Sequence, residues 1–410
     1  LDAGAVGNQT ATGSGTDNAL QSIFGRINYA YDDRYLLEGN LRYDGSSRFS
    51  EGNKFGLFPS VSAGWVFSRE SFLDNVEVLN YGKLRASYGQ LGNQNIGGDF
   101  PFLSTINLGQ NYSFGNKPSD GAALTDLANP LISWETSEMT NFGIELGFFN
   151  KLNLAFEYYV RNTNEILLSL PIPSTVGLNP PFQNAGKVEN KGWDFSISYK
   201  DYTREFKYNL QFNISDVKNQ IIDLKDAGPF IVENQIRQVG EPIDALFGYD
   251  AIGYFQSQEE VDNSAQQFGT VAPGDIKYRD VNDDGEINAE DRVVFGNIIP
   301  RYTFGLNLTF EYKQFDFNTL FQGVGQADGY IEGHGVYPFY VGGTAQEMHK
   351  DRWSPENPES AFPRLAFDQS NNVQTSDFWV RDASYLRCKN MQVGYSLPSN
   401  ALEKISLKQL

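Results

Sequence analysis

The sequence predicts an all-β chain that forms part of a large transmembrane antiparallel β-barrel with long loops. Three observations carry that reading. Apolar and polar residues alternate with period two through about twelve segments of roughly eight to eleven residues. Aromatic rings bracket many of the apolar faces, and short connections alternate with long ones along the chain.

The first clear strand pattern is YLLEGNLRYD, with Tyr35, Leu37, Gly39, Leu41 and Tyr43 on one parity and Glu38, Asn40, Arg42 and Asp44 on the other. TNFGIELGFF sets Phe142, Ile144, Leu146 and Phe148 against Asn141, Gly143, Glu145 and Gly147. Next come Leu152, Leu154, Phe156, Tyr158 and Val160, opposed by Asn153, Glu157 and Arg161. Further faces are Trp193, Phe195, Ile197 and Tyr199, then Tyr208, Leu210, Phe212 and Ile214. The last is Tyr302, Phe304, Leu306, Leu308, Phe310 and Tyr312. Soluble sandwiches alternate too, but strands of about ten residues exceed the usual five or six and match a tilted bilayer crossing. The ring pairs Tyr35 and Tyr43, Trp193 and Tyr199, and Tyr302 and Tyr312 fit girdles at the two headgroup layers.

Tight joins fall at YDDR (31–34), NK (150–151), KDYTRE (200–205) and KQ (313–314). Long connections, rich in Gly, Asn, Pro and Asp, lie at about 92–139, 162–191, 216–300 and 323–377. A barrel with turns on one rim and loops on the other produces this rhythm. Residues 1–20 read as an incoming loop and 21–410 as a partial barrel. Because an open edge in lipid leaves backbone groups unsatisfied, and ISLKQL at the end enters a further strand, the chain reads as a section of a larger barrel.

Composition agrees and excludes several classes. The 410 residues carry a net charge of −19, which repels phosphate backbones, so no nucleic-acid partner is expected. With 22 Tyr and 31 Phe against 3 Met, the palette is that of strands. One cysteine, Cys388, and two histidines, His334 and His349, give a zinc cluster or a Cys-His nucleophile little to draw on. No run of about 18 apolar residues encodes a membrane helix, which leaves a barrel open.

Five stretches then resemble a known family: LRYDGSSRF (41–49), FPSVSAGW (58–65), LRASYGQLGNQNIG (84–97), PGDIKYRDVNDDGEINAEDRVVFGN (273–297) and ASYLRCKNMQVGYSLP (383–398). They are similar, in the same order, to the SusC/RagA TonB-dependent transporters of Bacteroidota outer membranes. The resemblance implies a barrel of about 22 strands, of which this would be the middle and later part, without plug or final strands. It implies energised uptake of an oligosaccharide or peptide across the outer membrane, a SusD-like surface lipoprotein as lid, and the TonB complex as the source of work. It also admits a structural reading, in which a SusC-like barrel scaffolds a larger outer-membrane assembly.

Residues 280–291, DVNDDGEINAED, form a calcium-type loop. Its first, third, fifth and twelfth positions are Asp280, Asn282, Asp284 and Asp291; Gly285 allows the sharp turn, and Glu286 would offer its backbone carbonyl. Hard oxygens at alternate positions let one turn wrap Ca²⁺, which takes about six to eight ligands. Asp291 stands where such loops carry a longer, bidentate glutamate, which shortens the reach. The alternative is a solvated acidic loop held by Asx turns.

Ligand contact could come from Arg42, Asp44 and Arg48 of RYDGSSRF, or from loop aromatics Trp134, Tyr249 and Tyr254 stacking on a ring. Equally, Gly45 and its serines could shape a strand end, and the aromatics could pack their own loops. Arg42, Arg48 and Arg85 could gather around an anionic ligand. The apolar segment GEPIDALFGYDAIGYFQS (240–257) would need a cover, from a lid lipoprotein or a plug. No short motif singles out a catalytic carboxylate pair, so no enzyme is expected.

Overall fold

A computed structural model describes residues 13, 15–95, 98–169, 172–225, 227–367 and 370–398. The first part of the 1–20 loop, the 96–97 end of LGNQNIG and the strand read at 405–410 lie outside these residues. Among the described residues, eleven long strands join one sheet: β1 (Leu20–Tyr31), β2 (Tyr35–Ser46), β3 (Phe55–Trp65), β4 (Leu79–Asn93), β5 (Glu135–Phe148), β6 (Leu152–Ser169), β7 (Phe182–Asp201), β8 (Phe206–Asp223), β9 (Tyr302–Tyr312), β10 (Phe315–Gly325) and β11 (Tyr385–Tyr395). Each strand hydrogen-bonds to its neighbours in chain order.

Local chemistry sets the turns. Between β1 and β2, Asp32 and Asp33 both take positive φ (51° and 49°), and Arg34 N–H donates to Tyr31 O at 3.0 Å. Aspartate tolerates that region, and its handedness matches the twist of the strands it joins. Phe149 and Asn150 do the same between β5 and β6. The β3–β4 connection is the exception on this rim: two 3₁₀ turns, Phe67–Arg69 and Ser71–Leu73, occupy it.

Register keeps like faces together. Along β8 and β9, Tyr208 faces Phe310, Leu210 faces Leu308, Phe212 faces Leu306 and Ile214 faces Phe304. On the other parity Lys207 meets Glu311, Asn209 meets Thr309 and Gln211 meets Asn307. A slip of one residue would exchange the faces, so the side-chain pattern fixes the pairing. Tyr312 and Phe315 at the β9–β10 turn, and Leu37 and Leu41 on β2, are exposed to the surroundings as apolar side chains.

The long connections run over 94–134, 170–181, 224–301 and 326–384. The span 162–191, read as a loop from sequence, is largely strand. β6, β7 and β8 have 18, 20 and 18 residues, well beyond the roughly 9–11 needed to cross a bilayer. Past the lipid boundary nothing demands an apolar face, so the alternation fades while the ladder continues.

By internal contacts the chain divides into two compact units, Leu1–Gly64 with Ala86–Thr140 and Arg161–Lys187, and Trp65–Arg85 with Asn141–Val160 and Val188–Leu410. The first has a small core of Phe49, Phe58, Ile132 and Trp134, with Phe102 and Leu167 against it. At the end of β2 the Phe55 ring lies against Gly45, so a side chain at that position would have to displace the ring.

In the second unit the two longest connections fold on each other. Short strands Phe230–Val232, Gln235–Arg237, Ala245–Gly248 and Val293–Gly296 make a four-stranded sheet. Ala251–Tyr254 pairs with Ile276–Tyr278, and Asp328–Tyr330 with Val380–Asp382. Their core is Tyr249, Ile276, Tyr278, Ile287, Tyr337, Phe362 and Trp379. This corrects the expectation for 240–257: Ala245, Leu246 and Phe255 are fully buried by the chain's own loops, and no outside cover is needed for them.

If the Tyr302–Tyr312 face is turned to lipid, Leu308→Arg costs about 2–4 kcal/mol of folding free energy in a bilayer, and Asn307→Arg much less. Refolding of the full-length protein into vesicles, read by heat-modifiable migration, checks this; equal losses would refute the facing.

Candidate functional site

Polar side chains along the sheet pair with one another, on the wet parity in the middle of the strands and on both parities towards their ends. Glu38 accepts from Arg26 at 2.6 Å and from Asn40 at 2.8 Å. Arg85 pairs with Glu145 at 3.1 Å and with Glu157, whose other oxygen accepts from Asn141 at 2.8 Å. Gln90 donates to Glu138 at 3.0 Å. Arg301 grips the buried Asp216 through two bonds of 2.6 and 3.0 Å. Individual exposed pairs contribute only about 0–1 kcal/mol. On the wet parity, that of Glu38, Arg85, Glu145 and Glu157, their joint effect is chemical: a polar surface whose charges are paired, suited to line an aqueous passage.

The calcium-type loop is ordered by its side-chain oxygens. Asp280 accepts the N–H groups of Asp284 (3.3 Å) and Gly285 (2.8 Å), and Asp284 accepts that of Glu286 (2.9 Å). Asn282 accepts Asp284 N–H at 3.1 Å. Asp291, fully buried, takes Val281 N–H and Asn288 N–H, both at 2.8 Å, so it staples the two ends of the loop. Gly285, at φ +87°, supplies the turn that a side chain would strain. The Glu286 N–H bond, with the Asn282 amide, holds the Asp284 carboxyl below its ordinary 3.8. Its contribution to loop order is therefore whole above that value and is lost as pH falls through the lower folded one.

The six other candidates take definite partners. Arg42 pairs with Asp44 at 3.1 Å and lies over the Phe24 ring. Arg48 bonds Gln94 O and Asp99, each at 3.2 Å. Trp134 is not an open platform: it is wedged between Phe49 and Phe58, and its indole N–H donates to Lys54 O at 3.1 Å. Tyr249 is likewise buried, its ring 4.9 Å from Phe268 and 5.6 Å from Tyr278. Tyr254 donates to Ser360 O at 3.0 Å, and burial pushes its hydroxyl up to about 12. The packing alternative therefore describes Trp134 and Tyr249. Arg85 is bound to its two glutamates.

Sequence reasoning missed a cavity of about 380 Å³ in the second unit, lined among others by Tyr337, Phe339, Tyr340, Val341, Arg364 and Trp379. The available signal was YPFYVGG (337–343), an aromatic run followed by two glycines inside a loop.

Comparison with known proteins adds a consistent set of likenesses. A family model described as "TonB dependent receptor-like, beta-barrel" matches residues 2–408. TonB-dependent receptor P3 of Formosa agariphila is 33% identical over 422 residues, covering 100% of this chain and 41% of that protein. TonB-dependent receptor SusC of Bacteroides thetaiotaomicron is 31% identical over 405 residues, covering 94% and 38%. Among solved structures, the RagAB peptide transporter superposes with a TM-score of 0.79 at 22% identity, over 94% of this chain and 41% of that one. The chain thus spans about two fifths of the length of these relatives.

Asp291→Ala removes the acceptor for two backbone donors and should cost the 280–291 loop about 1–3 kcal/mol of local stability. Hydrogen exchange at Val281 and Asn288 should speed up while β9 amides keep their protection; unchanged rates at both would contradict the staple.

Proposed function

Because the chain belongs to the TonB dependent receptor-like β-barrel family, as a section of an outer-membrane barrel, we propose that it forms the wall and loop crown of a SusC-like active importer. The observation that supports this most is the family match across nearly the whole chain, joined to a sheet with one apolar and one paired polar face. In this reading the apolar face meets outer-membrane lipid and the polar face lines the passage. The cargo is an oligosaccharide or peptide, a SusD-like lipoprotein captures it at the loop crown, and the TonB complex supplies the work. The loop body fits a capture surface, since a buried aromatic core gives its exposed edges fixed positions.

Calcium at 280–291 is part of the same proposal. Among the described residues no three acidic, histidine or cysteine side chains already converge as a metal cage, so the reading rests on donor chemistry and on the turn. Asp280, Asn282, Asp284, the Glu286 carbonyl and Asp291 are all hard oxygen donors, as Ca²⁺ prefers. A bound ion would neutralise adjacent carboxylates and stiffen the loop.

Purification of the full-length protein from its native outer membrane, with mass spectrometry of what accompanies it, tests the importer reading. An equal amount of a SusD-like lipoprotein is expected; a fixed set of several unrelated subunits would replace import with a scaffold role. For the ion, millimolar Ca²⁺ should slow proteolytic cutting within 280–291 relative to a chelator, and identical cutting in both would remove calcium from the account.

A further inference from the structure

We propose that the cavity at Tyr337–Val341 is a subsite for an apolar side chain of a peptide, with Arg364 Nη1 donating to the main-chain carbonyl oxygen beside it. The inference rests on the importer reading and narrows its cargo at this site to peptide. Its size, about 380 Å³, falls in the range of small-ligand pockets. Its walls are the rings of Phe339 and Tyr340, with Val341 at the rim and the almost wholly enclosed Tyr337 and Trp379 backing them.

The polar groups decide the class of guest. Asn372 is spent at both ends: its carbonyl oxygen accepts Ile276 N–H at 2.9 Å and its amide donates to Asp275 at 2.8 Å. Ser370 donates to Phe268 O at 3.3 Å. A sugar, which needs several hydrogen bonds around its ring, would find these two partners taken and be left with the Tyr340 hydroxyl and one arginine edge. Arg364 differs. Its Nη2 donates to Asp275 at 2.8 Å and its Nε lies 2.8 Å from the other oxygen of that carboxylate, which has no exposure, as an ion-pair contact without a hydrogen bond, while Nη1 makes no hydrogen bond among the described residues. The buried carboxylate fixes the guanidinium plane, so the remaining donor edge is already oriented. One oriented donor beside an apolar, aromatic recess suits a peptide residue, with its single carbonyl next to its side chain. Arg364 already shares its charge with Asp275, so a neutral acceptor is served without an unpaired charge.

The rim adds an independent observation. Phe339 and Val341 stand at φ +60° and +48°, in the left-handed region where a β-branched residue is a genuine outlier. Strain of that kind persists where surrounding structure holds it, and it clusters at ligand clamps. Here it presents Val341 outward, 76% exposed, at the cavity mouth.

The test uses the full-length receptor in detergent and three probes: acetyl-GLFLG-amide, acetyl-GSSSG-amide and maltoheptaose. The apolar peptide should bind at least about tenfold more tightly than the serine peptide. Ala366 also lines the cavity; Ala366→Trp, which fills the recess, and Tyr340→Ala, which removes a wall, should each weaken binding about tenfold or more, with heat-modifiable migration unchanged. Arg364→Gln should weaken it further while leaving any maltoheptaose binding as it was. Equal binding of the two peptides, or apolar-peptide binding indifferent to both cavity variants, overturns the proposal, as does maltoheptaose binding lost in Ala366→Trp. Those results would leave the import reading standing if the lipoprotein still accompanies the receptor. Loss of the lipoprotein with peptide binding intact would instead sink the import reading and keep the subsite.

Discussion

Backbone hydrogen bonding in lipid is the constraint on which the rest of this structure depends. A bilayer offers no water to an N–H or C=O, so every such group that crosses must pair within the sheet. That requirement makes neighbours in sequence neighbours in space, as the chain-order pairing of β1 to β11 shows. It also forces a strict division of side chains. With the backbone committed, parity alone decides what meets lipid and what meets water, and the β8–β9 register keeps Leu210 on Leu308 while Lys207 stays on Glu311.

The same constraint explains where the chain is free to vary. Beyond the lipid boundary it can leave the sheet, but a long loose loop pays ordering entropy before it can present a fixed surface. The 224–301 and 326–384 connections meet that cost by burying each other's rings. Trp379 and Tyr278 are almost fully enclosed, and their polar atoms reach backbone carbonyls at 3.1 and 2.8 Å. The Asp275 and Arg364 pair and the Asp291 staple are further uses of carboxylates to hold irregular backbone in place. The acidity of the chain is thus partly structural.

How far the sequence could be read follows from this physics. The wall strands were legible because a half-lipid, half-water environment imposes period two over many residues, as in Tyr302 to Tyr312. The tight turns were legible because only particular residues accept positive φ, as at Asp32 and Asp33. The outer ends of β6, β7 and β8 were not, since no lipid constrains their faces. The loop strands were harder still: three or four residues carry no measurable period, and Tyr249 packs on Phe268 and Tyr278, Phe255 under Lys277 and Leu246 beside Gly296, in a pattern set by contacts alone. For the same reason Trp134 and Tyr249 could be taken for open platforms. An aromatic residue in a loop reads alike whether its face is bare or covered. The calcium-type loop was legible as a turn, because its oxygens at alternate positions organise N–H groups with or without an ion.

The central claim is that this sheet divides lipid from an aqueous passage. Spin labels placed one at a time from residue 302 to residue 312 in the full-length protein, in outer-membrane lipid and with Cys388 replaced by serine, test it most directly. Collisions with dissolved oxygen should peak at 304, 306, 308 and 310, and collisions with a water-soluble nickel complex at 303, 307 and 309, in opposite phase. Accessibilities that rise and fall together, or that show no period of two, would contradict the account.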